Sequence, residues 1–353
     1  MSDWMIYGAT GYTGVLVAEE AVRRGHRPIL AGRSAEKLRP LAERLDLPYV
    51  AFRLEDQAAV LQNISVVKVV YHAAGPFVQT SAPMLNACLA AKVHYLDITG
   101  EYPVFENTFA HDAEAKAAGI GLISGVGFDV IPTDCLASYV AAQVPNADSL
   151  EIAFAAISKA SAGTTKSALA LMGGGGRIRR DGVLQSVRLG QGARRIRFSD
   201  QERTVLPIPW GDLSTAYRTT GIPNITTYMA FPTALTRMMG LGSSVMDVSA
   251  VLRNKTINGM LRGLTERFVD GPNEVLRRDG KSYIWARAAN TKGESAQAWL
   301  ETSEGYVFTA AAGVRVVERV LSSPPIGATT PALAFGADFV LEIPGTTRFD
   351  NLA

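Results

Sequence analysis

Gly8, Gly11 and Gly14 stand directly behind the apolar run Trp4-Met5-Ile6-Tyr7 and directly before a helical pattern. This spacing suits a turn that carries the phosphates of a dinucleotide. Gly8 permits the tight turn, Gly11 lets the backbone approach a pyrophosphate, and Gly14 lets helix and strand pack closely. The following helix carries Val15, Ala18, Ala21 and Val22 along one face. It would present its unpaired N–H groups and the positive end of its dipole to the phosphates. Gly8, Thr10, Gly11, Tyr12, Thr13 and Gly14 are the candidate contacts of this turn. The competing reading is a packing turn without a ligand.

A second short strand, Pro28-Ile29-Leu30-Ala31, runs into Gly32-Arg33-Ser34, with Lys37 close behind. A site for NAD usually places Asp or Glu at this strand end to hold the ribose hydroxyls, and no carboxylate stands there. The Arg33 guanidinium can instead grip a 2′-phosphate through two parallel charge-assisted hydrogen bonds, and the Ser34 hydroxyl can add a donor. With Lys37, these residues predict NADPH/NADP+ in preference to NADH. The bland alternative is a surface arginine on a βα loop.

Such residues need a sheet to hold them. Strand patterns at 4–7, 28–31, 48–52, 67–72, 93–97 and 119–123 alternate with helical ones near 12–24, 34–45, 80–92 and 103–118. The alternation predicts an α/β fold, a Rossmann-type doubly wound parallel sheet with helices on both faces. The pattern breaks after Gly125. Leu150–Phe154, Arg194–Phe198 and Asn224–Met229 read as strands, and Ser282–Ala289 with Ala296–Thr302 read as a hairpin around Asn290 and Gly293. This predicts a second α+β domain with a mixed or antiparallel sheet. The expected division is 1–131 for the NADP-binding domain and 132–305 for a substrate and dimerisation domain. The helical patterns within 306–353 are expected to pack back on the first domain.

Bulk properties agree with a soluble enzyme. With 353 residues, 47% of them hydrophobic, and a net charge of +2, the chain can bury two cores and offers no global attraction for nucleic acid. Cys88 and Cys135 form neither a disulfide framework nor a metal-ligand spacing, which predicts no metal and a cytoplasmic location. The first strand begins too near Met1 to leave room for a signal peptide, and no apolar run is long enough for a transmembrane helix.

Five motifs in order carry a resemblance. Gly8–Gly14, Ala31-Gly32-Arg33, Ala73-Ala74-Gly75-Pro76-Phe77, His94–Glu101 and Gly127–Asp134 resemble the saccharopine dehydrogenase-like oxidoreductases, closest to the bacterial trans-acting enoyl reductase branch. The likeness recurs loosely at Gly211–Tyr217 and Thr330-Pro331-Ala332. The resemblance places Ala74, Gly75, Pro76, Phe77, Gly127 and Phe128 around the cofactor, and their positions after the fourth and sixth strands put them on the ligand edge of the sheet. It implies hydride delivery to a polarised double bond of a small-molecule substrate. The preferred substrate is an enoyl thioester, free or carried on coenzyme A or a carrier protein. A saccharopine-like C=N reduction and a non-catalytic NADPH-binding sensor are the rivals, and a homodimer is compatible with either enzyme.

The sequence declares no single proton donor. Tyr95, Asp97, Glu101, Tyr102, Asp129 and Asp134 are the candidates, and Glu101, Tyr102 and Asp129 are preferred as catalytic because they lie past strand ends. His94 and Asp97 are expected to make structural hydrogen bonds. Asp129 and Asp134 flank a proline turn where helix capping competes with substrate contact. Cys135 lacks a paired histidine and is a poor nucleophile. Two features belong to the second half. Met172–Gly176 reads as a helix stop or hinge, and Arg177, Arg179, Arg180, Arg188, Arg194, Arg195 and Arg197 read as a solvated sheet face or a dock for an acidic partner.

Overall fold

The computed structural model describes residues 2–156, 161, 165, 175–188, 192–231 and 272–352. Through the first third of the chain run β1 (Trp4–Tyr7), α1 (Tyr12–Arg23), β2 (Ile29–Gly32), α2 (Ala35–Leu45), β3 (Tyr49–Ala51), α3 (Gln57–Ile64) and β4 (Val69–His72). Next come α4 (Phe77–Ala91), β5 (His94–Asp97), α5 (Tyr102–Ala110), α6 (Asp112–Ala118), β6 (Gly121–Ile123) and α7 (Ile131–Ala141). The middle holds β7 (Ser149–Ala156), β8 (Gly176–Arg180), β9 (Val183–Val187), β10 (Arg194–Arg197), β11 (Glu202–Pro207), α8 (Asp212–Thr220) and β12 (Asn224–Ala230). The chain ends with α9 (Glu274–Asp279), β13 (Lys281–Ala289), β14 (Ser295–Ser303), α10 (Gly305–Ser322), β15 (Gly327–Thr329), α11 (Pro331–Phe335), a 3-10 turn (Phe339–Glu342) and β16 (Thr347–Phe349).

The first unit comprises Met1–Ile131 and Tyr306–Ala334. Its seven strands lie in the order β15-β6-β5-β4-β1-β2-β3, and every pairing is parallel. β1 and β4 are buried throughout, as expected of strands covered by helices on both faces. Chain connections diverge between β1 and β4, which opens the crevice where doubly wound sheets bind ligands. One core cluster fills a face of this sheet, with Met5, Val70, Leu85, Tyr95 and Leu122 at its centre. α10 seats itself through Gly313, where a Cβ would collide with the Tyr71 hydroxyl.

Helix positions differ from the sequence reading in three places. α3 was not expected; its signal is Asp56, whose carboxylate caps the Ala59 N–H at 3.0 Å. α4 begins at Phe77, three residues earlier than the apolar pattern suggests, because Pro76 serves as its N-cap. The stretch 103–118 breaks into α5 and α6 at His111.

The second unit comprises Pro132–Gly305 and Phe335–Ala353. Among the described residues its sheet runs β10-β11-β12-β7-β13-β14-β16, with the β8–β9 hairpin joined through β12. β12 pairs parallel with β7 and the other pairings are antiparallel, so the sheet is mixed. The expected hairpin of β13 and β14 closes at Ala289–Ser295 over Gly293, whose φ is +86°. Trp285, Trp299, Tyr228 and Phe198 pack together on one face of this sheet.

The C-terminal stretch does not fold back as a block on the first unit. Residues up to Ala334 join it, whereas Phe335–Ala353 belong to the second. The reason is hydrogen bonding: β16 pairs with β14 from Trp299–Phe349 to Glu301–Thr347. The helix that opens at Pro331 stops at Phe335, where Gly336 turns with φ +91°. Met172–Gly174, the start of the expected hinge, lies outside the described residues.

Candidate cofactor site

Gly8 and Gly14 of the first turn have separate steric reasons. Gly8 has φ +88°, and a Cβ there would lie 2.8 Å from the backbone of Ala73 and Ala74. The turns leaving β1 and β4 therefore touch, which brings Ala74 of the Ala73–Phe77 motif to the glycine turn. A Cβ on Gly14 would collide with the Gly8 carbonyl oxygen, so α1 can approach β1 only with glycine at that position. The Gly8 and Ala9 N–H groups donate to Ala31 O at 2.8 and 3.1 Å, which ties this turn to the exit of β2.

Gly11 is the N-cap of α1, no side chain caps the helix, and its first turn holds no acidic residue. The N-terminus of this twelve-residue helix therefore carries the positive end of its dipole with no acidic residue in its first turn to offset it, which suits an anionic ligand. Thr10 and Gly11 are exposed at this end, with Tyr12 and Thr13 half-buried behind them. The Tyr12 ring packs edge-on against Tyr306, with centroids 4.8 Å apart.

Beside the turn lies a hollow of about 270 Å³ lined by Thr10, Arg33, Ser34, Lys37 and Arg53. Ser34 caps α2 by accepting the Lys37 N–H at 3.3 Å, and its own O–H proton remains available. Four of the five lining residues were expected from the sequence. Arg53 was not, because it stands on the exit of β3 with no motif around it. The glycine cradle, the uncapped helix end and this cluster of cations fit a dinucleotide that carries a further phosphate.

The turn after β4 is held rather than open. The Thr80 hydroxyl lies 2.6 Å from Ala74 O and 3.1 Å from Pro76 O. It also meets His72 Nε2 at 3.1 Å. Burial pushes the His72 imidazole down to about 3, so it is neutral. Phe77, expected as a wall of the site, is buried and packs edge-on against His72. Gly75 and Pro76 lead into α4 directly.

Glu101 was ranked as an acid, and its geometry gives it another task. Its carboxylate accepts the N–H groups of Phe77 and Val78 at 3.1 and 2.8 Å, capping α4 from the β5 turn. Only 2% of the residue is exposed. Asp97 ties the neighbouring turns together: it accepts from Thr99 N, Ser124 Oγ and Gly125 N at 3.0, 2.8 and 3.1 Å. Burial raises its carboxyl to about 6 against the pull of these bonds. His94 Nδ1 accepts from Gly121 N at 2.9 Å, the structural bond expected of it.

Asp129 is different. Its half-buried carboxyl makes no hydrogen bond or ion pair among the described residues. It sits against Gly100, where a Cβ would lie 2.8 Å from Oδ2. Burial alone raises it to about 7. Tyr102 opens α5 next to Glu101 and is half-buried. Gly127 and Phe128 turn toward α10: a Cβ on Gly127 would lie 2.7 Å from Thr309 Cγ2, and Phe128 N donates to Thr309 Oγ1 at 3.0 Å. In the second unit, Asp134 is buried in the first turn of α7 and accepts from Thr219 Oγ1 at 2.7 Å. Cys135 is buried, which pushes its thiol up and away from nucleophilic use.

The basic stretch of the second unit is largely spent on the protein itself. Arg194 pairs with Glu151, and Arg195 pairs with Glu202 at 2.5 Å. The buried Arg179 donates to Leu213 O at 2.6 Å and to Gly182 O at 2.7 Å, and its guanidinium lies 4.2 Å above the Tyr217 ring. A hollow of about 490 Å³ nearby is lined by charges of both signs, among them Glu151, Arg180, Asp181 and Arg287. Its three arginines face two carboxylates, whereas the hollow of the first unit has three cations and no carboxylate in its lining.

Residues 4–123 match the saccharopine dehydrogenase NADP binding domain. A trans-acting enoyl reductase of Mycobacterium ulcerans is 30% identical over 138 residues, covering 37% of this chain and 33% of that protein. One of Mycobacterium tuberculosis is 33% identical over 140 residues, covering 37% and 34%. The matched segment is therefore about a third of each curated relative. The saccharopine dehydrogenase (L-Glu forming) of Saccharomyces cerevisiae superposes over 97% of this chain and 96% of its own, with a TM-score of 0.63 at 11% identity. That likeness is one of fold. Among the described residues, no helix is long and apolar enough to cross a membrane.

Proposed function

We propose that this chain, whose residues 4–123 match the saccharopine dehydrogenase NADP binding domain, is an NADPH-dependent reductase of a polarised carbon–carbon double bond. The proposed substrate is an enoyl thioester carried on coenzyme A or a carrier protein. The name shared by the mycobacterial relatives supports this substrate class. The single observation that carries the chemistry is Asp129, an acid without a partner among the described residues, held protonated to about pH 7 at the carboxyl edge of the sheet.

When bound, NADPH supplies the hydride. The residues of the chain position and neutralise. The α1 N-terminus and the turn of Gly8, Gly11 and Gly14 hold the pyrophosphate, while Arg33, Ser34 and Lys37 hold the 2′-phosphate. Thr80 and Glu101 fix the turn after β4 that meets Gly8. As the far carbon of the double bond accepts hydride, Asp129 gives its proton to the carbon beside the thioester carbonyl. Two C–H bonds form, the π bond is consumed, and the carboxylate regains a proton from water. In this reading the first unit binds cofactor and the second selects substrate. Cys88 and Cys135 are free buried thiols, which suits the reducing cytoplasm proposed as its compartment.

The test is NADPH oxidation with a series of enoyl thioesters and, in parallel, cyclic and amino-acid-derived imines. Asp129→Asn should lower kcat on the enoyl substrate about a hundredfold or more while leaving NADPH affinity at the wild-type value. Turnover of imines without turnover of enoyl thioesters would move the protein to amine chemistry. Bound NADPH that no electrophile oxidises would make it a sensor.

A further inference from the structure

We infer that Arg53 is the third contact of the 2′-phosphate and a determinant of the preference for NADPH over NADH. The inference rests on the reading above that the first unit binds NADPH, and it adds a residue from a different strand exit.

The backbone explains how a residue twenty positions beyond Arg33 comes to stand beside it. Phe52 N donates to Gly32 O at 3.0 Å, so the exits of β3 and β2 are bonded at the residue before Arg33. Phe52 and Leu54 are buried at 5% and 7% exposure and anchor the chain on either side. Arg53 between them is exposed. The Phe52 ring packs 5.1 Å from Tyr7, whose hydroxyl donates to Phe52 O at 3.3 Å. Tyr7 also registers both guanidinium groups. Burial pushes its hydroxyl up to about 12, and Arg33 and Arg53 each pull against that rise.

The charge balance of the hollow gives the residue its role. Arg33, Lys37 and Arg53 line about 270 Å³ together with Thr10 and Ser34. None of the three cations pairs with a carboxylate among the described residues; even Glu55, which acts on Tyr7, bridges none of them. Three like charges left together on a concave surface are unfavourable until an anion joins them. A phosphate monoester offers three acceptor oxygens, enough for two guanidinium forks and an ammonium. In the reading above the pyrophosphate is served by the glycine turn and the positive end of the α1 dipole, so the charge here suits a separate phosphate.

Calorimetry with 2′,5′-ADP and 5′-AMP, which differ in the 2′-phosphate, tests the assignment on the full chain. Direct titrations of NADPH and NADH accompany it. Arg53→Ala should weaken 2′,5′-ADP and NADPH about tenfold and leave 5′-AMP and NADH within twofold. It should also flatten the salt dependence of NADPH binding, and Arg53→Lys should recover part of the loss. Equal weakening of 2′,5′-ADP and 5′-AMP would show that Arg53 serves the adenosine, and overturns the inference. Unchanged affinity for all four ligands overturns it as well, while wild-type NADPH binding keeps the underlying reading intact. A wild-type chain that binds no NADPH would remove both.

Discussion

Replacing Asp129 with asparagine tests in one variant whether the carboxyl is as isolated as its surroundings imply. The ordinary carboxylate value is 3.8 and burial raises Asp129 to about 7. The sign follows from proton counting. Between these values the folded chain holds a proton that the unfolded chain has lost, so stability falls as pH rises through the window. Below the lower value both states are protonated and nothing is lost; above the upper value both are ionised and the whole cost remains. About three pH units at ~1.4 kcal/mol each give a cost of ~4 kcal/mol. Water reaching the half-buried carboxyl reduces this, and ~2–4 kcal/mol is the expected span.

The amide of the Asp129→Asn variant keeps the shape of the carboxyl and does not ionise. Urea unfolding across pH should therefore find the variant level with wild type near pH 4 and more stable by that amount near pH 8. Asp97, raised to about 6, adds a slope of the same sign in both proteins and cancels in the difference. A variant less stable than wild type at pH 8, with a flat difference curve, would show that the carboxylate is ionised and bonded. Asp129 would then lose its place as proton donor. The same titration predicts that enoyl reduction declines above pH ~7 as the acid loses its proton.

Other substitutions separate positioning from chemistry. Glu101→Gln weakens the charged cap on Phe77 N and Val78 N and should cost ~1–2 kcal/mol of stability with the pH–rate profile unshifted; a collapse of kcat at full stability would restore it as an acid. Gly14→Ala drives a Cβ into Gly8 O and should abolish NADPH binding by calorimetry and lower Tm, whereas the same change at Gly25, which has open space but φ +84°, should lower Tm by backbone strain alone and leave NADPH binding at the wild-type value. Arg179→Ala strands Leu213 O and Gly182 O and should cost ~2–4 kcal/mol in urea unfolding, with NADPH affinity unchanged.

What could be read from the sequence follows from how local each determinant is. Gly8, Gly11 and Gly14 constrain one another within seven residues, so their roles show in the spacing itself. Arg33 and Ser34 were legible because a strand end fixes where its next residues stand. Glu101 shows the opposite case. Its place past β5 was correct, but the direction of its carboxylate is decided by the N–H groups of Phe77 and Val78, twenty-four and twenty-three residues earlier. Arg53 was missed because only the Phe52–Gly32 bond brings it to Arg33. α3 was passed over because its eight residues give too short a pattern, although Asp56 marks its start. The ending was misassigned because β16 is three residues long and its partner β14 lies outside any local window.

The arginines show why the number of charges in a stretch is a poor guide to a site. Seven of them between Arg177 and Arg197 suggested a dock for an acidic partner. Arg194 and Arg195 already hold Glu151 and Glu202, and Arg179 is buried on carbonyl oxygens. An incoming anion must compete with those partners, and exchanging one ion pair for another gains little. The hollow of Arg33, Lys37 and Arg53 has fewer cations and no internal counter-ion among the described residues. Its electrostatic stabilisation is realised only when something outside the chain completes it. A cation marks a binding site when the fold denies it a carboxylate, and this property belongs to the strand exits of the first unit.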